Sequence, residues 1–204
     1  MDALIIVDAQ NDFCPGGSLA VPFGDQVIAV LNDYLVRAEQ AGIPIFASQD
    51  WHPADTAHFA KDGGRWSVHC VQGTDGAKFH KDLHLPAKTL VVQKGLSGQD
   101  DGYSAFEGHL ADGRDLKRAL DDHQVRRVFI GGLATDYCVL QTVRDARRAG
   151  LETVWLRDAS LPVEVKAGDG EQAEKDMLEA GARACTLAQF NPARNPATVR
   201  PAGG

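Results

Sequence analysis

Val125-Arg126-Arg127-Val128-Phe129-Ile130-Gly131-Gly132-Leu133-Ala134-Thr135-Asp136-Tyr137-Cys138-Val139 is the stretch on which the fold turns. It opens with an apolar run, Val125–Ile130, of a length suited to a buried strand, and breaks at two glycines. After Cys138 it continues through Val139, Thr142, Val143, Ala146 and Ala149, where the apolar positions fall at helical spacing. A strand that hands the chain to a helix is the repeating unit of a parallel sheet.

Similar runs lie on both sides, at Leu4–Val7, Ile43–Ala47, Thr89–Gln93, Leu151–Leu156 and Ala182–Leu187, giving six candidate strands. Between them, Val27, Ile28, Leu31, Leu35 and Ala38, and later Leu116, Ala119 and Leu120, again follow a helical period. Gly42, Gly150 and Gly181 are placed to close helices before the next strand. The pattern predicts one α/β domain over residues 1–190: a doubly wound, mostly parallel six-stranded sheet with helices on both faces. The remainder, 191–204, carries three prolines and a final Gly-Gly and is expected to be a flexible tail. The segment from Asp50 to Lys88 has no sustained period, and a connection this long in a compact domain is usually functional.

Composition narrows the field without naming a function. The chain has 204 residues, 44% hydrophobic and 24% charged, as an ordinary globular protein does. A net charge of −7 and a pI near 5.4, with no Lys/Arg block and with Arg126-Arg127 and Arg147-Arg148 no more than pairs, argue against a nucleic-acid partner. No run approaches the length of a membrane span, and the apolar opening is too short for a signal core and lacks a basic leader. A cytoplasmic protein without membrane partners is the expectation. Four scattered cysteines, Cys14, Cys70, Cys138 and Cys185, then read as free thiols.

Ligands of open α/β sheets gather at the carboxyl ends of strands, so the residues after each apolar run carry the functional signal. Asp8 follows the first strand, with Gln10 and Asp12 behind it; its carboxylate is either a turn residue or a general base. Asp50 and His52 follow the second, with His58 and His69 further on. A carboxylate with three imidazoles suits zinc, iron(II) or manganese, and the bland alternative is a set of unrelated surface histidines. His80 and His84 find no third ligand nearby and read as incidental.

Lys94 follows the third strand, either paired with Asp8 or solvated. Cys138 falls in the first turn of the helix after the fourth, where amide hydrogens and the helix dipole favour thiolate and could hold an oxyanion; the alternative is a packing thiol. Cys14, Cys70 and Cys185 have no base at a matching strand end and read as structural. For a substrate with a flat ring, Phe13 and Trp66 are candidate stacking walls with Tyr103 and Tyr137 near the mouth; the alternative for each is ordinary aromatic core.

Together these place a carboxylate, a lysine and a cysteine nucleophile at the ends of three strands. Asp8, Lys94 and Cys138, the run Gly131–Val139 and Asp50-Trp51-His52 resemble those of the nicotinamidases, members of the isochorismatase-like cysteine hydrolases. The opening Leu4–Phe13 and the run Trp66–Thr74 resemble the same family, and the likeness spans residues 1 to about 190. Asp50, His52, His58 and His69 all match its metal residues, which favours nicotinamidase over isochorismatase or N-carbamoyl amide hydrolases.

The resemblance implies cleavage of nicotinamide, and of pyrazinamide, with Asp8, Lys94 and Cys138 catalytic and one divalent ion orienting the substrate through its ring nitrogen. It also implies an oxyanion hole from the amides of Ala134 and Cys138, substrate contact at Ala134, and a cis peptide between Leu133 and Ala134. Lys94 is expected to hold Asp8 and Cys138 in their charged forms.

Overall fold

The computed structural model describes residues 1–98 and 101–193. Of the expected tail, 194–204 lies outside the described residues. Six strands form one sheet: β1 (Asp2–Val7), β2 (Ile45–Asp50), β3 (Leu90–Lys94), β4 (Arg127–Leu133), β5 (Glu152–Leu161) and β6 (Arg183–Cys185). Their order is β3-β2-β1-β4-β5-β6, and all five pairings are parallel.

Strand β1 is buried along its whole length, as the central strand of a sheet covered on both faces must be. Leu4 and Ile6 point into one core with helix α1 (Gln26–Ala41). Ala3, Ile5 and Val7 point into the other, with α2 (Leu116–Asp122), α3 (Leu140–Arg148) and α4 (Asp169–Glu179). In α1 the buried residues Val27, Ile28, Leu31, Tyr34, Leu35 and Ala38 recur every three or four positions and form one stripe. The helix stops at Gly42, whose left-handed φ of 68° turns its N–H back to the carbonyls of Ala38 and Glu39. Gly150 and Gly181 also have positive φ just beyond α3 and α4.

Several strands run past the apolar stretches that announce them. β2 begins at Ile45 and ends at Asp50, not Ala47, because Ser48, Gln49 and Asp50 pair with Val92, Gln93 and Lys94 of β3. β4 extends to Leu133 and β5 to Leu161, with a register shift between Ile130 and Gly132. Gly132 is required there: a Cβ on it would lie 2.0 Å from the Val7 carbonyl oxygen. β6 is shorter than expected and ends at Cys185.

The strand order reverses between β1 and β4, and ligands of open α/β sheets bind in the crevice at such a point. Among the described residues no helix is long and apolar enough to cross a membrane.

Candidate active site

The carboxyl ends of β1, β2, β3 and β4 bring Asp8, Asp50, Lys94 and Cys138 together. All four are buried, and Lys94 and Asp8 are fully so. Lys94 is the hub. Its Nζ lies 2.8 Å from Asp8 Oδ2, donates to Asp50 Oδ1 and to the Gly102 carbonyl (2.5 Å), and stands 3.6 Å from Cys138 Sγ. The register explains the Asp50 contact, since Asp50 and Lys94 are direct partners across β2 and β3. Ser48 Oγ donates to Asp8 Oδ1 at 2.7 Å. Asp8 itself has a left-handed backbone, φ 46°, which aspartate tolerates better than most residues.

Cys138 does not begin an ordinary α-helix. Thr135–Val139 form a π-type turn that leads into α3, and such turns are frequent at functional sites. The amides of Tyr137 and Val139 both donate to the Ala134 carbonyl, and the amide of Cys138 between them is not bonded to it. The Leu133–Ala134 peptide is cis. Asp136 accepts from the amides of Val163 and Glu164, tying the end of β5 to this turn.

Electrostatics correct one expectation. Burial raises the Asp8 carboxyl to about 6, although Lys94 and Ser48 pull it the other way. Burial likewise pushes the Cys138 thiol well above its usual range, against the pull of Lys94. Lys94 therefore lowers both groups, as a cation must, but does not outweigh desolvation: the resting cysteine is a thiol. Burial opposes the charge on Lys94 too, yet Asp50 and Asp8 hold it as an ammonium above the ordinary lysine range. Burial alone would raise Asp50; Lys94 and His52 reverse this and hold it well below the usual carboxylate range.

Beside this cluster sit His52, His58 and His69, all buried, each with a ligand-capable atom within 4.8 Å of the others'. His52 and His69 present Nε2 to Asp50 Oδ2 at 3.7 and 3.8 Å. Among the described residues, neither ring nitrogen of His52 has a hydrogen-bond partner, an unusual state for a fully buried imidazole. Burial lowers His58, and lowers His69 to about 4, so both are neutral near pH 7 and carry a lone pair for a cation. This donor chemistry fits a metal ion. Asp8, Asp50 and Cys138 also lie within 4.8 Å of one another, but Lys94 already supplies their cation.

A cavity opens above, lined by Phe13, Asp50, His58, Trp66, His69, Tyr103, Ala134, Tyr137 and Cys138, and by the aliphatic Leu19, Val21 and Val163. Phe13 and Trp66, the expected walls, line it, and so do Tyr103 and Tyr137. Trp66 Nε1 donates to Tyr103 Oη at 2.8 Å, and Trp66 and Tyr137 meet edge to face at 4.9 Å between centroids. Phe13 packs 5.6 Å from His69.

Other residues that shape the site carry no sequence signal of their own. Gln10 clamps Asp50 through both backbone groups, donating to its carbonyl and accepting from its amide, and also donates to Ala77. Asp12 accepts from the amides of Cys70 and Ser18, which fixes the chain next to His69. Asp101 lies against His58, with its Oδ1 3.1 Å from Nδ1. Only their pairing across the fold reveals them.

His80 and His84 lie outside this group: His80 Nδ1 accepts from Asp82 and the His84 amide donates to Asn32. Cys14, Cys70 and Cys185 are buried free thiols, raised by burial, as packing residues are.

The model of the isochorismatase domain matches residues 2–189. The chain belongs to the isochorismatase family. Within that family it is 39% identical to the nicotinamidase of Escherichia coli K12 over 207 residues, covering 92% of this chain and 96% of that one. Its fold superposes on the zinc complex of Pyrococcus horikoshii pyrazinamidase with a TM-score of 0.84 at 40% identity, over 91% of this chain and 98% of that one. It also superposes on PnC1 from L. infantum in complex with nicotinate, with a TM-score of 0.81 at 35% identity, over 92% and 93%.

Proposed function

We propose that this isochorismatase-family chain is a nicotinamidase: it hydrolyses nicotinamide to nicotinic acid and ammonia through a thioester on Cys138, and acts on pyrazinamide in the same way. The observation that carries the reading is the placement of Cys138 Sγ 3.6 Å from Lys94 Nζ, itself 2.8 Å from Asp8, on the floor of an aromatic cavity beside three buried imidazoles.

Asp50, His52, His58 and His69 would hold one divalent ion, zinc, iron or manganese. When bound, that ion supplies a Lewis-acid anchor for the ring nitrogen of the substrate. Trp66, Tyr103, Tyr137 and Phe13 enclose the flat ring and exclude water, and Ala134 lies beside it. The carboxamide carbon is then directed at Cys138.

Asp8 takes the thiol proton as sulfur bonds to that carbon, and the carbonyl electrons move to oxygen. The amides of Ala134 and Cys138 receive the oxyanion. Collapse breaks the C–N bond, and Asp8 returns its proton to nitrogen, so ammonia leaves and the thioester remains. Water then gives a proton to Asp8 as it attacks; breaking the C–S bond releases nicotinic acid, and the proton returns to sulfur. Lys94 stays protonated throughout and stabilises whichever partner is negative.

Residues 1–190 act as one domain in this reading. The acidic net charge and free thiols suit a cytoplasmic enzyme of a small molecule, with neither nucleic acid nor membrane as partner.

Ammonia release from nicotinamide, measured for the purified protein and for Cys138→Ala before and after metal chelation, tests the proposal. Turnover is expected only with both thiol and metal, and loss of the nucleophile should cost about 10⁴-fold or more. A folded, metal-loaded protein that releases no ammonia from nicotinamide would sink the substrate assignment.

A further inference from the structure

The three imidazoles differ in what holds the nitrogen turned away from the cluster. His69 Nδ1 lies 2.7 Å from the Ser67 carbonyl, a pure acceptor, so it carries the proton and leaves the lone pair on Nε2. His52 is fixed by packing: its ring stacks on His58 at 4.7 Å, and a Cβ on Gly95 would lie 2.4 Å from its Cε1. Among the described residues, no backbone carbonyl holds His58 Nδ1, and the glycine that packs on this residue, Gly64, meets its backbone and not its ring. Its Nδ1 meets Asp101 Oδ1 at 3.1 Å.

We propose that Asp101 is a positioning residue for metal binding: it accepts the Nδ1 proton of His58, fixes the ring's orientation, and leaves Nε2 as the ligand atom. The proposal rests on His58 being a metal ligand. A carboxylate behind a ligating histidine fixes its tautomer and makes it a better donor. The Asp101 side chain is 68% exposed, and exposed pairs of this kind contribute little to folding. Its location also matters. The next residue, Gly102, offers the carbonyl that receives Lys94, and Tyr103 receives Trp66. The segment 101–103 therefore reaches the imidazoles, the lysine and the aromatic wall in three successive residues.

The test is zinc affinity of the metal-free full chain, by competition with a chromophoric chelator, for wild type, Asp101→Asn, Asp101→Ala and His58→Ala. Asp101→Ala should bind zinc roughly 10–100-fold more weakly. Asp101→Asn, which keeps an acceptor oxygen, should fall between it and wild type. The thermal midpoint of the metal-free protein should not change. On a His58→Ala background, Asp101→Ala should cost nothing further.

Unchanged affinity in Asp101→Ala overturns the proposal, as does an equal loss on the His58→Ala background or a matching fall in metal-free stability. A wild-type protein that takes up no zinc refutes the ligand assignment itself, and this inference with it.

Discussion

On the Cys138 side of the cavity floor, the buried charges answer one another; on the histidine side, the nitrogens turned into the cluster face other imidazoles and the Asp50 carboxylate. Lys94 bonds Asp8, Asp50 and the Gly102 carbonyl and reaches Cys138, which completes that half from within the chain. His52 has two buried nitrogens and no hydrogen-bond partner for either among the described residues. An unsatisfied buried polar group costs about 1–3 kcal/mol, so such an arrangement calls for a ligand that supplies the missing bonds. Asp50 belongs to both halves: Oδ1 faces the ammonium and Oδ2 the imidazoles. One half is a finished ion-pair network, and the other is a receptor.

Removing Lys94 breaks the comparison most severely. Lys94→Ala leaves Asp8 and Asp50 as neighbouring buried carboxylates with no cation, and loss of one partner of a buried ion pair costs about 3–5 kcal/mol. Urea unfolding of the metal-free protein measures this. A loss below about 1 kcal/mol would mean that the network is dispensable for folding and that the two acids share a proton instead.

The histidine side should behave in the opposite way, contributing stability only when loaded. Zinc at 100 times its dissociation constant should stabilise the wild type by about 2.7 kcal/mol, and chelation should reverse the gain. His52→Ala should lose most of that increment and yet unfold near the wild-type midpoint in chelator. A His52→Ala protein that still gains the full increment would place the metal elsewhere.

The same contrast governs what the sequence discloses. Val and Ile runs mark the strands because a sheet covered on both faces must be apolar along its length, and β1 shows this most clearly. The strand end at the site is polar, so Ser48, Gln49 and Asp50 fall outside the apolar run Ile43–Ala47 although they complete β2. Asp8, Lys94 and Cys138 stand out because each directly follows an apolar run, and chemistry collects at such positions. Gln10, Ser48 and Asp101 do not stand out, since their meaning lies in partners 40, 40 and 43 residues away. The π turn at Cys138 is also hidden, because Val139, Val143 and Ala146 keep the period of an uninterrupted helix. The charge state of Cys138 departs from expectation for a related reason: spacing reveals that Lys94 is near, whereas only packing reveals how completely the thiol is removed from water.

The smallest effect tests the same influence of burial on Asp8. Catalysis requires Asp8 as a carboxylate and Cys138 as a thiol, so kcat/KM should fall with a one-proton slope as pH drops through about 6, where burial has raised Asp8. The Ser48 hydroxyl donates to Asp8 and favours its charged form. Ser48→Ala should therefore move the acid limb to higher pH, by less than about one unit, with little change above the limb. His69, held near 4 by burial, titrates well below this range and should not produce the limb. A limb near 4 that ignores Ser48→Ala would assign the controlling proton to the imidazoles and reverse the division of labour between the two halves.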